Sequence, residues 1–120
     1  MNGMKELEVL GSDCCTPLLE SPLEEHEAGM VARAFRVLAD PARLRLLSAI
    51  AARPEGEACV CELLPFLELS QPTVSHHLKV LHDAGLLWRE RRANWVYYGI
   101  RPEAFEPLRA VLAPAAAVAG

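Results

Sequence analysis

The sequence has no apolar run long enough to span a bilayer, and no basic N-terminal region leading into an apolar one. Neither a membrane protein nor a secreted one is expected, which leaves the cytoplasm. There is no C-x-x-C motif, no glycine pattern that would cradle a phosphate or dinucleotide, and no internal repeat. A thiol reductase or cofactor-dependent enzyme is therefore not expected. An overall excess of positive charge is also missing, since the formal net charge is −4. That balance would exclude a nucleic-acid partner only if the charge were evenly spread, and it is not. Residues 1 to 27 set Lys5 against Glu6, Glu8, Asp13, Glu20, Glu24, Glu25 and Glu27 (a balance of −6), whereas residues 70 to 101 set Lys79, Arg89, Arg91, Arg92 and Arg101 against Asp83 and Glu90 (a balance of +3).

What is present fits one compact domain: 120 residues, 52% hydrophobic and 23% charged. Its four cysteines fall into two pairs, Cys14 with Cys15 in "DCCT" and Cys59 with Cys61 in "ACVCEL". In a reducing compartment such thiols are expected to serve metal binding or redox chemistry rather than a disulfide framework. Residues 1 to 21 lack a periodic apolar pattern and read as a flexible arm, with a short helix near residues 4 to 10. Residues 22 to 115 read as the folded domain and 116 to 120 as a flexible tail.

Within the domain the apolar residues Met30, Val31, Ala34, Phe35, Val37 and Leu38 recur at helical spacing. A second helix starts at "ADPARLRLLSAIA", with Asp40 as N-cap and Pro41 in the first helical position. After the polar turn "ARPEGEA", a short third helix is predicted from about Val60 to Leu67, limited by Pro65, with the two cysteines of "CVC" at its entrance. The next helix, "QPTVSHHLKVLHDA", is bounded by Ser70 as N-cap and Gly85 as a left-handed stop. Val74, Leu78 and Leu81 form its buried stripe, which leaves Gln71, Thr73, Ser75, His76 and Lys79 on or beside the solvent face. "LLWRERR" and "NWVYYGI" form a hairpin with arginines at its tip, and "PEAFEPLRAVLAPAAAVA" closes the chain as an amphipathic helix.

This order is mainly α with a β-hairpin wing, that of a winged helix-turn-helix. In such a module the second helix of the helix-turn-helix enters the major groove and the basic hairpin tip approaches the backbone. Gln71, Thr73, Ser75 and His76 are then candidate base readers, and Lys79, Arg91 and Arg92 candidate phosphate contacts on double-stranded operator DNA.

"LADPARLRLLSAI", "ELSQPTVSHHLKVLHDAGLL" and "RRANWVYYGI" together resemble the ArsR/SmtB family of metal-responsive repressors over roughly residues 28 to 110. The resemblance implies a homodimer built through residues 22 to 38 and 102 to 115, and release of operator DNA on binding an effector ion. "ACVCEL" is similar to the thiolate motif E-L-C-V-C-D-L at the start of the third helix of arsenite and cadmium/lead sensors. The last helix has no histidine for the zinc site some relatives carry there.

Because residues i and i+2 of a regular helix point about 200° apart, Cys59 and Cys61 are not expected to chelate one ion together unless the helix start is unwound or another segment contributes. Two ligand sets remain open: Cys14 and Cys15 with Cys59 or Cys61 around As(III) or Sb(III), or all four cysteines around Cd(II) or Pb(II). A redox-responsive repressor, in which Cys14 or Cys15 pairs with Cys59 or Cys61, is the other function class. For Cys61 the competing reading is a buried apolar filler beside Val60 and Leu63.

Overall fold

A computed structural model describes residues 17–114. The short helix expected near residues 4 to 10, Cys14 and Cys15, and the tail from residue 115 onward lie outside the described residues. Among those described, the elements are α1 (Glu25–Leu38), α2 (Pro41–Ala51), β1 (Glu57–Cys59), α3 (Val60–Leu67), α4 (Gln71–Asp83), β2 (Leu87–Arg92), β3 (Trp95–Ile100), a 3-10 turn (Pro102–Phe105) and α5 (Glu106–Leu112).

The helix boundaries follow from local chemistry. Asp40 Oδ1 accepts the amides of Ala42 at 2.9 Å and Arg43 at 3.2 Å, satisfying donors that the first turn of α2 leaves open. Ser70 Oγ accepts from the Thr73 amide at 3.3 Å and starts α4. After α4 the chain reverses through Gly85 at φ 87°, where a side chain would be strained. At α1 a capping box forms, with Glu27 Oε1 accepting the Glu24 amide at 3.2 Å. Glu68, at φ 59°, ends α3 in the left-handed region.

The core gathers one stripe from each helix. Leu46 and Ile50 of α2, Val74, Leu78 and Leu81 of α4, and Leu86 ahead of β2 are fully buried. Together with Leu63, Leu67, Leu87, Leu108 and Val111 they form one cluster that fixes α4 against α2 and the sheet. Arg43 adds a polar tie: its Nε donates to the Val37 carbonyl at 2.6 Å, and its Nη1 lies 3.3 Å from His77 Nδ1. His77 thus faces α2 rather than the open surface of α4.

Two elements depart from the sequence expectation. The hairpin gains a third strand, giving the antiparallel order β1-β3-β2, with Glu57 opposite Gly99 and Cys59 opposite Tyr97. The final helix is interrupted: Pro107 has no amide hydrogen to continue the preceding turn and sits in the first turn of a new helix, so residues 102 to 112 split into the 3-10 turn and α5. The Leu18 amide donates to the Val111 carbonyl at 2.9 Å and anchors the segment before α1 onto α5.

Candidate nucleic-acid interface and thiol site

α4 presents the surface its sequence pattern implies. Gln71, Thr73, His76 and Lys79 are exposed and Ser75 is half-buried, while Val74, Leu78 and Leu81 point into the core. Thr73 Oγ1 is 2.9 Å from Ser70 Oγ, so part of its hydrogen-bonding capacity is spent on the cap. Lys79 Nζ pairs with Asp83 Oδ2 at 2.9 Å, one turn on. That hydrogen bond is the main reason the Asp83 carboxyl is held below the usual range.

The wing separates two neighbouring arginines. Strands β2 and β3 are joined through Ala93, at φ 56°, and Asn94. Arg91 is exposed and has no ion-pair partner among the described residues. Arg92 is committed: its guanidinium takes both carboxylate oxygens of Glu57, bonds Glu90 Oε1, and stacks 4.5 Å from the Tyr97 ring centroid. The two arginines thus differ in what they hold: Arg92 is engaged by two carboxylates, and Arg91 by none among the described residues.

The thiol site also differs from the helix-geometry expectation. Cys59 is not inside α3; it is the last residue of β1 and the N-cap of α3, at φ −77° and ψ 150°. Extended backbone there swings its side chain toward that of Cys61, and the two are joined as a disulfide with Cα atoms 5.2 Å apart. Reduction would leave two thiols side by side on one wall. The Cys61 amide lies 3.1 Å from Cys59 Sγ, and Glu62 Oε1 accepts the Cys59 amide at 2.8 Å, a capping box with sulfur in the place of a hydroxyl. Burial is the reverse of the filler reading: Cys59 is 3% exposed, and Cys61 faces solvent.

A cavity of about 660 Å³ links the two features, lined by Cys59 and Cys61 on one side, Gln71, Ser75 and Lys79 of α4 on another, and the wing on a third. Sequence reasoning missed the wing's share, Arg89, Asn94, Trp95 and Tyr98, although Trp95 had a visible signal as an aromatic residue beside a hairpin turn. Arg89 Nε donates to Tyr98 Oη at 3.2 Å. Among the described residues no group of three or more His, Cys, Asp or Glu is placed to hold a metal ion. Cys59 and Cys61 are the two cysteines among the described residues; Cys14 and Cys15 lie outside them. No helix among these residues is long and apolar enough to cross a membrane.

Three helices around a buried stripe, a capped exposed helix and a three-stranded wing define a winged helix-turn-helix of the regulatory type. Residues 40–87 match the bacterial regulatory protein arsR family, and with the coverage of its relatives the chain belongs to that family, one of transcriptional regulators and not of enzymes. It is 52% identical over 69 residues to the arsenic resistance transcriptional regulator ArsR1 of Pseudomonas putida, a match covering 58% of this chain and 52% of that one. It is 36% identical over 78 residues to an HTH-type transcriptional regulator of Methanocaldococcus jannaschii, covering 65% and 83%. Among solved structures, the AntR antimony-specific transcriptional repressor superposes with a TM-score of 0.62 at 34% identity, over 75% of this chain and 80% of that one. The chain spans about half to two thirds of the length of the arsenic-resistance relatives it matches.

Proposed function

We propose that this chain is a cytoplasmic, homodimeric DNA-binding repressor that releases its operator when As(III) or Sb(III) binds cysteine thiolates. The observation that carries the reading is the shared cavity: Cys59 and Cys61 lie on one wall and Gln71, Ser75 and Lys79 of α4 on another. The names of relatives that act in arsenic resistance, and of a structural neighbour that is antimony-specific, point the same way. Gln71, Thr73, Ser75 and His76 read base edges, and Lys79 and Arg91 meet phosphates.

Soft trivalent centres favour three sulfurs, and the described residues offer two adjacent ones. Cys14 or Cys15 supplies the third. Ligation at Cys59 acts on two elements at once, because that residue is paired to Tyr97 of the wing and caps the first helix of the helix-turn-helix. Dimeric readers of this type dock on half-sites about 34 Å apart, so a small tilt of α3 against α4 spoils simultaneous contact. A coupling of about 1–3 kcal/mol is typical of such linkage.

The test is an electrophoretic shift titration of the reduced chain on a duplex selected for binding, at fixed salt, with arsenite, antimonite, cadmium and lead added in turn. Release by arsenite or antimonite that Cys59→Ser and Cys61→Ser abolish supports the reading. Serine at 59 retains an N-cap oxygen, so loss of response there is not loss of the helix start. Equal affinity with and without every ion, or an unchanged response in all four Cys→Ser variants, would refute it. Release by cadmium or lead that requires all four cysteines favours the tetrathiolate alternative. The Cys59–Cys61 bond favours a second reading, a redox-responsive repressor, and release by oxidant alone would select it.

A further inference from the structure

We propose that Cys61 is a thiol-exchange site and that the cavity beside it receives a small thiol bearing carboxylates, of the cysteinyl-peptide class. The two sulfurs of the pair are not equivalent. Cys61 is exposed on the cavity wall, while Cys59 is almost completely buried. An incoming thiolate must approach in line with the S–S bond, so it reaches Cys61 and expels Cys59. The leaving sulfur has a stabilising partner in place, the Cys61 amide 3.1 Å away at the first turn of α3.

The step balances without an added oxidant. The incoming thiol loses its proton to solvent, its sulfur bonds to Cys61 Sγ, the Cys59–Cys61 bond breaks, and the electron pair remains on Cys59 as thiolate. One disulfide is exchanged for another.

The cavity selects the class of thiol. Its volume of about 660 Å³ suits a ligand of tripeptide size. Among the described residues that line it, Lys79 and Arg89 supply two cations against one carboxylate, that of Asp83, and Leu64 and Trp95 add apolar surface. A thiol of net negative charge gains from that rim, and one of net positive charge does not. Once attached, the group lies between α4 and the wing and places negative charge where the DNA phosphates would come. The exchange itself needs no assumption about DNA; its regulatory consequence rests on the repressor reading above.

The experiment uses the full chain with Cys14→Ser and Cys15→Ser, so that only the Cys59–Cys61 pair can react. Oxidised protein is treated with reduced glutathione or with cysteamine, quenched by alkylation, and mapped by peptide mass, and each rate is normalised to that on an oxidised Cys-Val-Cys peptide. The expected result is an adduct on Cys61, an alkylated Cys59, and a normalised preference for glutathione of at least about threefold, as one or two net charges at a solvated rim provide. Combining Lys79→Gln with Arg89→Gln should erase that preference. An adduct on Cys59, or rates in the same ratio as on the peptide, would overturn the assignment.

For the consequence, the Cys59→Ser chain in the same background is loaded at Cys61 with oxidised glutathione and assayed on DNA. At least about a tenfold loss of affinity relative to the unloaded variant is expected, within the usual range of coupling between sites. Unchanged affinity on loading overturns the regulatory step. Failure of the wild-type chain to bind DNA overturns the repressor reading instead, and the mass readouts still decide the exchange site.

Discussion

Replacing Arg91 and Arg92 by alanine, one at a time, distinguishes a cation available to a phosphate from one that is already committed. Arg91 is exposed without a carboxylate partner among the described residues, whereas Arg92 holds Glu57 and Glu90 together. Each cation that neutralises a phosphate of duplex DNA adds about 0.9 to the magnitude of the slope of log affinity against log salt. Loss of Arg91 from one wing should therefore reduce that slope by about 0.9, and the ratio of wild-type to variant affinity should shrink about 3.5-fold between about 50 and 200 mM salt. A dimer engaging both wings doubles the change in slope. Arg92→Ala should leave the slope in place, with any loss of affinity arising from Glu57 and Glu90 left uncompensated. Fluorescence anisotropy on a labelled duplex at four salt concentrations measures this, and a non-specific duplex suffices because the electrostatic contribution is sequence-independent. Equal changes of slope for the two variants would refute the distinction and with it the functional weight given to the Arg92 cluster.

Three further outcomes follow from the same geometry. Asp83→Asn removes the carboxylate that competes for Lys79 and should raise DNA affinity, most at low salt; unchanged affinity would place Lys79 out of reach of the phosphates. A methyl group at Gly99 would stand 2.1 Å from Trp88 Cε2 and Cζ2, so Gly99→Ala should cost about 1–3 kcal/mol of stability by urea denaturation, and a wild-type midpoint would show that the indole swings aside freely. The hydrogen bonds from Arg92 lower the Glu57 pKa below its ordinary 4.5. The folded value therefore lies below the unfolded one, and the pair's small contribution is complete above the ordinary glutamate range and is lost as pH falls through the folded value. Urea midpoints compared between about pH 6 and about pH 3 should fall less steeply in Arg92→Ala than in wild type, and parallel profiles would contradict the assignment.

The features legible in the sequence are those with local causes. Asp40, Ser70 and Gly85 bound their helices through atoms within three residues, and the spacing of Val74, Leu78 and Leu81 suffices to define the inward face of α4. Features that depend on distant pairing were not legible. β1 is three residues long, too short for an alternating pattern, and exists because β3 offers it an edge. Arg92 meets Glu57, 35 positions away in the chain, and nothing in "RERRAN" announces which arginine is engaged. The relation between Cys59 and Cys61 lies between these cases. It turned on whether residue 59 is inside the helix or at its cap, and Glu62, three residues on, was the available clue, since a capping box needs a carboxylate at that spacing. Pro107 likewise carried a signal for the break before α5.

The double duty of Cys59, as strand end and helix cap, divides this wall of the cavity into a rigid half and an adjustable half. Position 59 accepts few replacements, because a substitute must fit a sealed space and still receive an amide hydrogen. Position 61, open to solvent, carries no such obligation, whereas Leu64, one turn further along the same cavity wall, packs against the core. Changes to what this wall presents to the cavity would begin at 61, where a side chain can be exchanged without touching the buried scaffold.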